Sequence, residues 1–185
     1  MPAATPILTP RLCLRPPAAN DAAPIFRRYA GDSDVTRFVG WPRHASMHDT
    51  AAFMDFCASQ WSRWPAGPLL IESRSDGRLL GSTGLAFETP TQASTGYVLA
   101  RDAWGFGYAS EALRAMVQLA QDLAVTRLYA LCHPSHSASI RVLERCGFAC
   151  EGLLATQHVF PNLDDKPQDV ASYAYGGALP SNATP

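Results

Sequence analysis

Residues 104–113, "WGFGYASEAL", place two glycines two apart immediately before a stretch of helical periodicity. A strand that runs through such a loop into a helix aims several unpaired N–H groups at one point, where the helix dipole also favours negative charge. Gly105 and Gly107 supply φ freedom and leave no Cβ in the way of a phosphate, and Ser110 adds a hydroxyl. The stretch therefore encodes an anion cradle, with a ligand-free glycine turn as the competing reading. A P-loop needs a lysine beside the second glycine, and the single lysine, Lys166, lies far along the chain. A dinucleotide fingerprint needs a third glycine where Ser110 stands. His44 and His48 have the i, i+4 spacing of a metal pair, and His133 and His136 bracket a Pro-Ser turn beside Cys132. No carboxylate or thiolate partners sit at metal-site spacing, so no metal is expected.

The elements that must hold this loop are legible from periodicity. "RLCLRP" (11–16) alternates as a strand, and Asn20 or Asp21 caps a helix through Tyr29 with Gly31 as its stop. After Ser46, residues 48–64 carry Phe53, Phe56, Cys57, Trp61 and Trp64 at three- and four-residue steps, which predicts a helix with one apolar stripe. Strands follow at 69–74 and 79–88, joined by the Asp76-Gly77 turn, with "ETPTQAS" (88–94) as a loop and a short strand at 96–100. From Ala109 the apolar positions 112, 113, 116, 117, 120 and 124 make a helix buried along one face. "RLYALC" (127–132) is the next buried strand, parallel to the one before if the helix is its crossover. A helix at 137–145 stopped by Gly147, a strand around 148–160 and a last strand at 169–175 complete the order. The tail "GGALPSNATP" has turn composition and reads as frayed.

With 185 residues and 47 % hydrophobic side chains, the chain suits one globular domain. Formal net charge is -1 and no basic stripe appears, which argues against a direct nucleic-acid reader. The five cysteines are scattered without a C-x-x-C, so a reducing cytoplasm fits better than a disulfide framework. No apolar run approaches the roughly 20 residues that span a bilayer, so no membrane partner is expected. A homodimer stays compatible with the sequence.

A third phosphate-binding candidate is a coenzyme A pyrophosphate loop, and here the chain resembles the GNAT superfamily of acyl-CoA-dependent N-acetyltransferases, in its RimJ/RimL branch. "TPRLCLRP" is similar to that branch's opening strand, "GYVLARDAWGFGYASEAL" to its fourth strand, pyrophosphate loop and third helix, and "SASIRVLERCGFACEGLL" to its fourth helix and sixth strand. The resemblance covers about residues 9–175, taken as one domain, with 1–8 and 176–185 as mobile extensions. It implies an α+β fold with a mixed, mainly antiparallel seven-stranded sheet, splayed at its centre and flanked by about four helices. It also implies acetyl-CoA as co-substrate and an amine as acceptor. The coenzyme would be held by Val98, Leu99, Trp104, Gly105, Phe106, Gly107, Tyr108, Ala109, Ser110 and His136, the last standing where the branch usually has Asn. Asp102 occupies a position where the superfamily usually has Gln or Arg. Ser139 matches the serine that protonates the departing thiolate or holds a water for it. His158 stands where the branch often has an acidic base, and Glu88 is an alternative base acting through water. Phe38, Trp41 and Phe160 are candidate acceptor contacts, whereas Trp61 and Trp64 are better read as core. Asp169 matches a position that either positions the acceptor or pairs with an arginine, and Arg141 and Arg145 are either a solvated helix face or reach the coenzyme phosphates. The implied activity is acetyl transfer to a protein N-terminal α-amine or a small amine. The rivals are a non-catalytic acyl-CoA-binding module and a small-molecule N-acetyltransferase acting on an antibiotic or polyamine.

Overall fold

The computed structural model describes residues 5–179. One eight-stranded sheet runs β1 (Ile7–Leu8), β2 (Leu12–Arg15), β3 (Pro68–Ser73), β4 (Leu79–Thr89), β5 (Gln92–Leu99), β6 (Arg127–Cys132), β8 (Pro167–Tyr175), β7 (Phe148–Val159). Every neighbouring pair is antiparallel except β5 and β6. The strand beyond the expected seven is β1, formed by two residues read as part of a mobile extension. It pairs Ile7 with Leu14 and Leu8 with Cys13 on the outer edge of β2. Residues 176–179, read as part of a frayed tail, are instead held: Gln121 donates to the Ala178 carbonyl at 2.8 Å and Leu179 packs on the larger core cluster, while 1–4 and 180–185 fall outside the described residues.

Period-two alternation divides the core between the two faces of the sheet. Leu12, Leu14, Leu69 and Ile71 join the larger cluster with Leu113 and Met116 of α4 (Tyr108–Asp122), which α5 (Ser137–Arg145) extends through Leu143. Leu70, Leu79 and Val98 belong to the other cluster, under Ile25 and Tyr29. Those two come from α1 (Ala22–Ile25), which continues as a π turn through Phe26–Ala30, followed by the single turn α2 (Ser33–Thr36). The long helix α3 (Met47–Arg63) starts where the Asp49 carboxylate accepts the N–H groups of Ala45 and Ser46 at 2.8 and 2.9 Å. Its apolar residues do not form one core stripe. Cys57 is buried, Trp61 and Trp64 pack on the larger cluster, and Phe56 is exposed.

"ETPTQAS" is not a loop. Glu88 and Thr89 end β4, Gln92 starts β5, and a tight turn at Pro90-Thr91 joins them beside an irregularity between Phe87 and Thr89. Backbone pairing along the whole hairpin outweighs the turn-like composition of the segment. One close approach fixes a residue type in this hairpin: a Cβ on Gly81 would overlap the carbonyl oxygen of Val98 and sit 2.9 Å from the Cα of Leu99. Gly81→Ala is expected to lower folding stability by about 1–3 kcal/mol, the usual range for overpacking. An unchanged urea midpoint would show that β4 and β5 do not approach so closely.

Candidate active site

β5 and β6 pair only through Gln92↔Arg127, Ala93↔Leu128 and Ser94↔Tyr129. Beyond Ser94, β5 stays on β4 as far as Leu99, while β6 stays on β8 as far as Cys132, so the two strands part. Ala100 N–H donates to the Leu80 carbonyl at 2.7 Å. By the alternation of an antiparallel ladder, Val98 then turns its main-chain groups to β4, and Tyr97 and Leu99 turn theirs to the gap. Of the two residues expected to pair with a coenzyme arm, Leu99 alone has that orientation. Its carbonyl accepts the Trp104 indole N–H at 2.8 Å. The gap widens into a cleft of about 830 Å³ that reaches from the 104–110 loop to Phe38, Trp41, His158 and Phe160.

At the loop, Gly105 (φ 83°) and Gly107 (φ 80°) are both left-handed, a conformation that side chains with a Cβ rarely adopt. The Glu111 N–H closes the first turn of α4 on the Gly107 carbonyl at 3.1 Å, so the N–H groups ahead of it are the orphans of a helix start, directed to the cleft mouth. Arg11 of the turn before β2 braces this geometry. Its guanidinium donates to the Phe106 carbonyl (2.8 Å) and the Glu111 carboxylate (2.7 Å) and lies 4.7 Å from the Tyr108 ring centroid. Burial works against the Glu111 carboxylate, but bonds from Thr9 and Arg11 outweigh it and hold its pKa below the ordinary value. Asp102 is likewise neutralised, by a two-pronged contact from Arg28 (3.0 and 2.7 Å) and a third bond from Arg78 (2.9 Å). The Arg28 bond is the main reason its pKa is lowered. Asp102 therefore fastens the turn before the loop to the π turn that follows α1 and to the β3–β4 hairpin. Arg141 and Arg145 line the cleft, and no ion pair among the described residues engages either. Phe106 points elsewhere: its side chain is 60 % exposed, and it does not line the cleft.

Within the cleft, Ser139 on the first turn of α5 faces β5, its Oγ 3.0 Å from the Tyr97 hydroxyl. Cys132 is buried at the end of β6; burial pushes its thiol up, and the Ser139 hydroxyl offsets part of this. The end of the cleft farthest from the loop is a chain of rings. His136 stacks on Phe38 (4.7 Å between centroids), Phe38 lies 5.1 Å from His133, and His133 meets Phe160 edge-on at 4.8 Å. His158 closes the chain at 4.7 Å from Phe160. Burial lowers the pKa of His158, and burial followed by the neighbouring His133 lowers that of His136. Both rings are therefore neutral at pH 7.

Two devices aim His158. Residues 155–157 of β7 lie opposite the single residue Asp169, whose carboxylate accepts the Thr156 N–H at 3.0 Å. Asp169 thus stabilises a bulge, which redirects the strand. On the other side, Asn162 clasps the loop after α2, donating to the Thr36 and Trp41 carbonyls (2.7 and 2.9 Å) and accepting the Arg43 N–H (2.8 Å). This clasp sets Gly40 so tightly against the imidazole that a Cβ there would lie 2.5 Å from His158 Nε2. Glu88 is not brought to the site. It accepts the Tyr129 hydroxyl at the paired end of β5 and β6, away from the opening, and does not line the cleft. Trp61 donates to the Pro68 carbonyl and Trp64 stacks on Phe87, both as core residues. Tyr97, Gly40 and Asn162 escape a reading of local sequence, because each acts on a partner far away in the chain. Among the described residues no group of three or more His, Cys, Asp or Glu could hold a metal ion.

A gap between parallel strands with an anion cradle at one end suits a long phosphorylated arm carrying an acyl group, which defines an acyl-coenzyme-dependent transferase. The acetyltransferase (GNAT) domain matches residues 11–149, and the chain belongs to this family as an acetyl-CoA-dependent N-acetyltransferase. The uncharacterized N-acetyltransferase YoaA of Bacillus subtilis (strain 168) is 30 % identical over 173 residues, 91 % of this chain and 96 % of that protein. RimL, a ribosomal L7/L12 alpha-N-protein acetyltransferase solved with coenzyme A, superposes with a TM-score of 0.79 at 22 % identity, over 91 % of this chain and 95 % of that one. The microcin C7 self immunity acetyltransferase MccE, solved with acetyl-CoA and AMP, gives a TM-score of 0.78 at 20 % identity, over 90 % and 92 %.

Gly40→Ala is expected to push the His158 ring aside and, with His158 as the base proposed below, to lower acetyl transfer on the order of a hundredfold. Coenzyme A binding, followed by calorimetry, should not change, since the 104–110 loop is remote from Gly40. Transfer at the normal rate would show that the contact does not aim the ring.

Proposed function

We propose that the acceptor is a protein or peptide N-terminal α-amine, or a small amine of similarly low pKa, acetylated by direct attack on acetyl-CoA. The observation that carries this reading is the acceptor end of the cleft, lined by Phe38, Trp41, His158 and Phe160 and, among the described residues along its whole length, by no aspartate or glutamate. At pH 7 an α-amine of pKa near 8 costs about 1.4 kcal/mol to deprotonate, whereas a lysine near 10.4 costs about 4.6 kcal/mol. A neutral imidazole without a carboxylate suits the first task. A polyamine, with several cationic centres, finds no counter-charge here.

In this reading the N–H groups of residues 105–110 hold the pyrophosphate, Arg141 and Arg145 supplement their charge, and the arm runs along Tyr97 and Leu99. His136 and Phe38 flank its thioester end. The amine nitrogen attacks the thioester carbonyl and forms the C–N bond while His158 takes the nitrogen's proton. The C–S bond then breaks. Ser139 hydrogen-bonds the departing sulfur and passes it a proton, which solvent water replaces, and the His158 proton leaves to solvent.

The sign of the pH dependence follows from the lowered pKa of His158. The ring is a free base above its ordinary value of 6.5 and is lost as a base when pH falls through its lower folded-state pKa. Below that point both amine and imidazole bind protons, so log kcat/KM against pH should climb with a slope of about two. In His158→Gln the slope should drop to about one, and an unchanged slope would clear His158 of base duty. Ser139→Ala should reduce turnover by about a hundredfold or more while coenzyme affinity holds. A panel of short peptides with free and blocked N-termini, run beside spermidine, tests the acceptor. Turnover of the polyamine and none of the free-amine peptides would overturn the assignment.

A further inference from the structure

We infer that Tyr97 is a positioning residue for acetyl transfer: its hydroxyl donates to Ser139 Oγ and so frees the one Ser139 hydrogen to point at the departing sulfur. This rests on the assignment of Ser139 as the group that meets the thiolate. The pair spans the gap itself. Tyr97 comes from β5, Ser139 from the helix that follows β6, and both line the cleft where those strands have parted. The Tyr97 oxygen lies 3.0 Å from Ser139 Oγ and 3.4 Å from the Ser139 carbonyl oxygen, so both recorded partners of this phenol belong to one residue.

Hydroxyl chemistry separates the two orientations. A serine has one hydrogen and two lone pairs. If Ser139 donated to Tyr97, its hydrogen would be spent, and the sulfur would face only lone pairs. With Tyr97 as donor, Ser139 accepts along one lone pair and keeps its hydrogen for a sulfur, the neighbouring Cys132 thiol at rest and the departing one during transfer. The Ser139 carbonyl sits in the first turn of α5, where the helix ladder already engages it. That leaves the shorter contact to Oγ as the better destination for the phenol hydrogen. Burial raises the Tyr97 pKa well above its ordinary value, so the phenol keeps its hydrogen throughout turnover. The ring packs against the larger core cluster, which restricts the direction of the O–H bond. As negative charge grows on sulfur, a donor behind Ser139 polarises the serine O–H bond toward it. No proton leaves Tyr97, and the balance of the reaction is unchanged.

The experiment compares Tyr97→Phe, Ser139→Ala and the double variant with the parent, reading kcat and the KM for acetyl-CoA, with calorimetry of coenzyme A and a thermal melt as controls. Tyr97→Phe keeps the ring and its packing. It should lower kcat about tenfold, the worth of one hydrogen bond of this kind, and leave KM and coenzyme affinity within about twofold. The double variant should be no slower than Ser139→Ala, because Tyr97 has nothing to orient once the serine hydroxyl is gone. A normal kcat in Tyr97→Phe beside a slow Ser139→Ala would overturn the inference alone. Multiplying losses in the double variant would do the same, as would a loss in coenzyme affinity that accounts for the whole effect. A normal kcat in Ser139→Ala would overturn the assignment of the serine, and this inference with it.

Discussion

Three residue pairs join β5 to β6, and the site depends on the pairing stopping there. Two parallel strands that part in mid-sheet leave main-chain donors and acceptors facing each other across a gap, a costly arrangement unless something fills it. The fold tolerates this because each strand is secured on its far side, β5 by β4 over its full length and β6 by β8. The gap is thus bounded by two rigid edges, and part of the cost is met internally, as where Trp104 satisfies the Leu99 carbonyl. In the proposed binding mode an extended coenzyme arm completes the remainder with the hydrogen bonds of an added strand.

Charge around the loop is arranged to the same end. Glu111 and Asp102 flank the cradle and would repel a pyrophosphate if free. Arg11 neutralises the first, Arg28 and Arg78 the second. The two Asp102 pairs are substantially exposed, so each contributes little to folding stability, whereas the Glu111 carboxylate is mostly buried against Arg11 and Thr9. Their effect is local: they fix where the loop's carbonyls and side chains point, and they leave the helix start and the two cleft arginines without an ion-pair partner among the described residues.

Features set by short-range pattern were legible in the sequence. The glycine pair, the amphipathic face of α4 and the order of strands and helices are encoded within a few residues, and three motifs in sequence pointed to the family. The errors arose where partners lie far apart. Thr89 and Gln92 read as loop because their composition is turn-like, yet pairing along β4 and β5 extends both strands to them. Glu88 looked like a candidate base from its position in the strand, but that position is at the closed end of the splay, where Tyr129 engages it. Val98 and Leu99 could not be told apart before the hydrogen-bond phase of the hairpin was known. Asn162 reaches 126 residues back to Thr36, and Tyr97 reaches 42 residues forward to Ser139; neither contact leaves a mark on local periodicity.

The chemistry of the proposed acceptor end is consistent with its surroundings in a way that bears on the proposed choice of base. A carboxylate placed among Phe38, Phe160 and the stacked histidines would carry its charge into an apolar wall and lose much of its ionised fraction to desolvation. An imidazole in that place is neutral when it is competent to accept a proton, so burial lowers its pKa without removing the active form at pH 7. With His158 as the proposed base, the cost appears instead as weaker basicity, which favours acceptor amines that release a proton readily. In the proposed function an apolar cleft, a histidine at position 158 and a low-pKa acceptor are therefore three expressions of one constraint, the exclusion of fixed negative charge from the place where the nitrogen must arrive as a free base.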